Sequence, residues 1–152
     1  MNAAYTVRLC HLYPEMMNIY ADRGNIAVFR QRLAWRDMAL EITEIGLGDI
    51  IDPGQHDLYY LGGGQDRDQN LVAKDLVANA ATLQAAAHAG AAQLYVCGGI
   101  QLAGHQYVTA DGTSLPGLGI LDLVTEAGAT RLIGDLVIEA TIEGTTQRVV
   151  GY

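Results

Sequence analysis

Leu94-Tyr95-Val96-Cys97-Gly98-Gly99-Ile100-Gln101 runs from a short apolar stretch, through a cysteine and two glycines, into a helix-like segment at residues 100–105. The apolar stretch reads as a buried strand, because it is short, uncharged and stopped by glycine. Glycine accepts the tight backbone of a strand-to-helix reversal, which leaves the side chain just before it exposed at the turn. The N-terminus of the following helix adds amide N–H groups and a partial positive charge, which favour a thiolate and can receive an oxyanion. Cys97 is therefore a candidate nucleophile, with the amide of Gly98 as an oxyanion donor. The alternative is a cysteine that only packs, the common fate of a lone thiol.

Upstream of this turn the chain alternates strand and helix. Tyr5–Leu12 reads as a strand, and residues 25–38 as an amphipathic helix with Ile26, Phe29 and Leu33 on one face. A strand at 40–45 is followed by a Gly/Asp/Pro-rich loop to His56, and Leu58–Leu61 is a third strand ending in Gly62-Gly63-Gly64. Residues 70–89 form a long Ala/Leu-rich helix, and the strand at 93–96 delivers Cys97. That order implies a parallel sheet with helices on both faces. After His105 the pattern becomes β-rich. Tyr107-Val108-Thr109 and Asp111-Gly112 signal a hairpin, with further segments at 120–125, 132–142 and 146–150. The final Arg148-Val149-Val150-Gly151-Tyr152 reads as a strand in mid-course, so the fold is expected to continue past it.

The chain has 152 residues, enough for one domain with a real core, and residues 1–152 are read as a single domain. Half of the residues are apolar and 17% are charged, which excludes a disordered chain. A net charge of −8 argues against a nucleic-acid groove, although Arg30, Arg32 and Arg36 cluster in one stretch. No apolar run reaches the ~18 residues of a membrane span, and no signal-peptide pattern opens the chain. Two distant cysteines, Cys10 and Cys97, form no disulfide framework and fit a reducing cytoplasm.

In a doubly wound sheet the ligand site lies outside the carboxyl ends of the strands. His11, Gly62 to Gly64 and Cys97 all fall on that edge. The triple glycine is no Walker loop, since no Gly-Lys-Ser/Thr follows, and no G-x-G-x-x-G stands between a strand and a helix. It reads either as a plain flexible turn or as a loop whose N–H groups join that of Gly98 in holding an oxyanion. Gln101, four residues beyond Cys97, shares its helix face and either touches a substrate or bonds a loop. Arg131 is a cation entering an apolar segment, where a solvated charge is the ordinary reading. Of the four histidines, His105 lies about 12 Å of helix rise from Cys97, and His56 and His88 fall on the opposite edge. Only His11 shares the edge of Cys97, and an ordinary strand-end histidine is its default. No histidine–cysteine spacing matches a zinc site.

Cys97-Gly98-Gly99-Ile100-Gln101 with upstream Gly62-Gly63-Gly64-Gln65-Asp66 resembles the class I glutamine amidotransferases of the cobyric acid synthase-like branch. Within that branch the chain is most similar to the glutaminase subunit of the lipid II isoglutaminyl synthase complex. Leu12-Tyr13-Pro14-Glu15-Met16-Met17-Asn18-Ile19-Tyr20, Asp22-Arg23-Gly24-Asn25-Ile26 and Gly117-Leu118-Gly119-Ile120-Leu121-Asp122 support the likeness, as do Arg131 and Gly134-Asp135-Leu136-Val137-Ile138-Glu139. The resemblance implies a flavodoxin-like, three-layer α/β fold with a β-rich second half.

It also implies a reaction. Cys97 attacks the side-chain amide of glutamine, Gly63, Gly64 and Gly98 supply the oxyanion hole, and Arg131 and Gln101 bind substrate. Ammonia passes to a Mur-ligase-like partner in a heterodimer. ATP and magnesium belong to that partner, which amidates the D-glutamate of lipid II to D-isoglutamine for peptidoglycan; this subunit needs no cofactor or metal. Residues 22–25 carry either a helix cap or a subunit contact. Members of the family continue past the position of Tyr152 to a catalytic histidine that none of the four histidines here matches. The chain is thus expected to be the leading part of such a subunit, with sheet edges and apolar faces uncovered. A non-catalytic flavodoxin-like binding module without a base is the competing reading, and a thiol enzyme using His11 a third. Residues 1–152 alone are expected to release negligible ammonia from glutamine, for want of a general base. Robust Cys97-dependent release in a coupled glutamate assay refutes that expectation.

Overall fold

The computed structural model describes residues 5–19, 22–130 and 133–151. Strand β1 (Tyr5–Leu12) ends in four buried residues, Leu9 to Leu12, because it is covered on both faces. It pairs in parallel with β2 (Met38–Ile45) on one side and β3 (Leu58–Leu61) on the other, and β3 pairs with β4 (Ala92–Tyr95). The resulting order β2-β1-β3-β4 is the flavodoxin-like arrangement expected from the sequence.

Helices cover the two faces. Cys10, Leu12, Tyr59 and Leu61 face one side and pack in the main core with Val72, Ala73, Leu76 and Leu83. Those partners come from α2 (Asp66–Leu76) and α3 (Ala80–His88). On the other side α1 (Asp22–Ala34) places Ile26 and Phe29 along a groove shared with Leu9, Leu58, Tyr60 and Leu94. Asn25 Nδ2 donates to the Tyr60 hydroxyl at 3.1 Å, so Asn25 ties α1 to the sheet.

Several boundaries differ from the sequence reading, each for a local reason. The helix expected at 70–89 begins at Asp66 and is interrupted by a 3-10 turn at Val77–Asn79. Asp66 and Asp68 in its first turn suit the helix dipole, which explains the earlier start. The interruption is fixed by Asn79, which is buried. Its Oδ1 accepts from Ile51 N–H at 2.9 Å and its Nδ2 donates to the Asp49 carbonyl at 3.0 Å. The loop between β2 and β3 is thereby pinned to the helical layer. Helix α1 stops at Ala34 rather than 38, because Asp37 at φ 55° turns the chain into β2.

Beyond the sheet, α4 (Gly98–Ala103) ends before His105, whose N–H donates to the Leu123 carbonyl. The hairpin expected near Asp111-Gly112 is present as β5 (Gln106–Val108) and β6 (Ser114–Pro116), turning where Gly112 has φ +83°. Only β7 (Val124–Glu126) forms from the segment expected as a strand at 120–125, and it lies parallel to β5. Its earlier residues instead close the end of α4: the N–H groups of Ile120 and Leu121 both bond the Ala103 carbonyl, just after the Leu118 N–H bonds the Leu102 carbonyl. The last two strands, β8 (Leu136–Ile142) and β9 (Thr145–Gly151), form an antiparallel ribbon turned at Glu143 and Gly144, both at positive φ. The ribbon is exposed along most of its length, with Val150 at 75%.

Asn79→Ala leaves the Ile51 N–H and the Asp49 carbonyl without that partner. The expected loss is about 1–3 kcal/mol in denaturant unfolding, with an unchanged m-value. A loss under a few tenths of a kcal/mol contradicts the clamp.

Candidate active site

Cys97 sits at the junction of β4 and α4 with φ 51° and ψ −114°, a conformation that costs a non-glycine residue about 1–3 kcal/mol. The surrounding backbone holds it there. Gly99 N–H bonds the Val96 carbonyl at 2.9 Å, Ile100 N–H bonds the Cys97 carbonyl at 3.0 Å, and Val96 N–H bonds the Leu61 carbonyl at 3.0 Å. Gly99 is dictated by space, since a β-carbon there would meet the Leu61 carbonyl oxygen at 2.3 Å. The outcome is an exposed thiol on a sharp turn whose flanking Gly98 and Gly99 are buried. That is the geometry the sequence reading expects of a nucleophile.

The triple glycine lies buried at the end of β3, on the same carboxyl edge as Cys97. It is a built loop, not a slack one. Gly63 accepts from the Ile19 N–H at 3.1 Å, and Gly64 accepts from Gln69 Nε2 at 2.9 Å. A β-carbon on Gly64 would meet the Met17 sulfur at 2.5 Å. The N–H groups of Gly63, Gly64 and Gly98 donate no hydrogen bond among the described residues. Bare amide donors on the edge that carries the thiol are the kind of group that stabilises an oxyanion.

Gln69, in α2, joins the two loops. Its amide bonds Gly64, and a β-carbon on Gly98 would lie 2.3 Å from its Nε2. Sequence reasoning missed Gln69, although Gln65 and Gln69 stand one helical turn apart just after the glycines, a pattern that places both near the loop. Gln101 is half-buried on α4. Arg131, the other expected substrate-binding residue, lies outside the described residues.

The histidines are placed elsewhere than at the thiol or engaged by other groups. His105 Nε2 lies 3.0 Å from Asp122, His88 Nδ1 lies 2.7 Å from the Gln84 carbonyl, and His56 is buried beside the Tyr59 ring. Burial lowers the pKa of His56 below its ordinary value, with the Arg8 cation adding to the shift. His11 is also buried, its ring tilted on that of Tyr60 at 5.4 Å. Cys10 lies in the core, where burial pushes its thiol up to about 12. Among the described residues no group of three His, Cys, Asp or Glu side chains could hold a metal ion. None of their helices is long and apolar enough to cross a membrane.

Residues 8–152 match the CobB/CobQ-like glutamine amidotransferase domain. The chain is 39% identical over 148 residues to the GatD subunit of lipid II isoglutaminyl synthase (glutamine-hydrolyzing) from Staphylococcus aureus (strain N315), covering 97% of this chain and 60% of that protein. It is 33% identical over 138 residues to the subunit of the same name from Streptococcus pneumoniae (strain ATCC BAA-255 / R6), covering 90% of this chain and 53% of that protein. The chain thus spans between 53% and 60% of the length of these curated relatives.

The two thiols differ in access, which makes alkylation a direct check. Iodoacetamide at neutral pH is expected to label Cys97 in the native protein, and Cys10 only after denaturation. Comparable labelling of both in the native state, read by peptide mass, contradicts this placement.

Proposed function

The chain belongs to the CobB/CobQ-like glutamine amidotransferase family, and we propose that it serves as the glutamine-hydrolysing subunit of an amide-forming ligase. The observation that carries this reading is the exposed, strained Cys97 on the same sheet edge as the N–H groups of Gly63, Gly64 and Gly98, which donate to no described residue. In this reaction the Cys97 sulfur attacks the side-chain amide carbon of glutamine. The carbonyl oxygen becomes an oxyanion held by those N–H groups. The C–N bond then breaks, ammonia leaves with an added proton, and a glutamyl thioester remains. Water hydrolyses the thioester, releasing glutamate and restoring the thiol. A general base is not assigned to any of the four histidines of this chain.

The remaining roles belong to the same proposal. Arg131 binds the glutamine carboxylate, for which a planar guanidinium is suited, and Gln101 lines the substrate site. Residues 1–152 belong to a single glutamine amidotransferase domain. Ammonia passes to a Mur-ligase-like partner that uses ATP and magnesium to amidate the D-glutamate of lipid II, in the cytoplasm. The names of the Staphylococcus and Streptococcus relatives support the lipid II acceptor.

The test uses the full gene product together with its ATP-dependent partner. Cys97→Ser is expected to lower glutamine-dependent amidation by a factor on the order of 10³ or more, while added ammonium salt restores it. Activity retained by Cys97→Ser with glutamine contradicts the assignment.

A further inference from the structure

Gln69 is buried to 4% exposure, yet its Oε1 has no hydrogen-bond partner among the described residues. A buried acceptor left unpaired is a cost that an apolar side chain of equal length would avoid. The amide nitrogen suggests why glutamine stands there. It donates to the Gly64 carbonyl at 2.9 Å, and it fills the space where Gly98 lacks a β-carbon.

The consequence follows from peptide geometry. In a trans peptide the N–H points away from the C=O across the same plane. The Gly63 carbonyl is drawn to Ile19, which fixes the direction of the Gly64 N–H. The Gly64 carbonyl is drawn to Gln69, which fixes the direction of the Gln65 N–H and completes the loop. Gln69 itself is anchored by its backbone N–H to the Gln65 carbonyl at 2.8 Å, in the first turn of α2. One side chain therefore touches both the loop after β3 and the turn after β4.

We propose that Gln69 is a positioning residue for glutamine hydrolysis: its side-chain amide holds the Gly64–Gln65 peptide and thereby sets the spacing between the triple-glycine loop and the Gly98 amide. This rests on the hydrolase reading above. Gln69 acts through the backbone and touches no reacting atom. A displacement of an oxyanion donor by a fraction of an ångström weakens the transition state far more than it weakens substrate binding.

The full gene product together with its ATP-dependent partner, wild type and with Gln69→Met or Gln69→Glu, is measured in three ways. Steady-state glutaminase kinetics are expected to show kcat lowered about 10- to 100-fold with KM within about threefold. Iodoacetamide labelling of Cys97 is expected to stay within about twofold of wild type, since the thiol itself is not moved. Backbone hydrogen exchange by mass spectrometry is expected to speed up in the peptide spanning Gly62 to Gln65, and not in β1. An unchanged kcat in both variants overturns the proposal. So does a fall in kcat matched by an equal fall in labelling and faster exchange throughout, which marks a role in stability alone. If wild type releases no ammonia, the hydrolase reading fails by itself. Exchange then decides the positioning claim: selective loosening of 62–65 supports it, and no change overturns it.

Discussion

The Leu61 carbonyl oxygen accepts the Val96 N–H and also lies where a β-carbon on Gly99 would sit, 2.3 Å from that position. This contact brings the ends of β3 and β4 together at the depth of backbone atoms, with no side chain between them. Everything at the carboxyl edge depends on it. Because Gly99 lies against Leu61, the chain must reverse at Cys97, and because it reverses there, the thiol is thrust outward at positive φ. The triple glycine begins one residue past Leu61, so the same contact brings its N–H groups to the thiol's edge of the sheet. Backbone atoms yield less readily than side-chain ends, so the site is built on the least adjustable part of the fold.

Much of this was legible in the sequence because the decisive signals are local. Short apolar runs stopped by glycine at Leu61 and Val96, separated by helical stretches, dictate a parallel order whatever the rest of the chain does. The Cys97-Gly98-Gly99 turn needed no knowledge of distant partners. What the sequence could not show depends on contacts across long separations. Asn79 interrupts a helix because its side chain reaches Asp49 and Ile51, and nothing in a run of Ala and Leu announces that. Gln69 reads as one polar residue among several on a helix face until Gly64 and Gly98 are seen on either side of it. The segment 120–125 has strand-like composition, but the N–H groups of Ile120 and Leu121 are claimed by the Ala103 carbonyl at the end of α4.

The two cysteines show how placement alone divides the chemistry. Cys10 is buried between β1 and the helices above it, where a charge is costly and the thiol stays protonated. Cys97 stands exposed at the edge that also carries the Gly63, Gly64 and Gly98 amides, which donate to no other described residue. His105 and His88 are held by Asp122 and the Gln84 carbonyl, while His11 and His56 are buried against the rings of Tyr60 and Tyr59. The described residues thus place an exposed thiol and backbone amides on one sheet edge, the groups that the proposed glutamine hydrolysis would use as nucleophile and oxyanion site.

The account stands or falls on Cys97 being the atom that bonds to glutamine. The most direct measurement is to treat the full gene product with a glutamine-like diazoketone and locate the adduct by peptide mass. The account predicts one glutamyl-type adduct on the peptide holding Cys97, slowed by added glutamine. An adduct on Cys10, no adduct, or labelling indifferent to glutamine would contradict it.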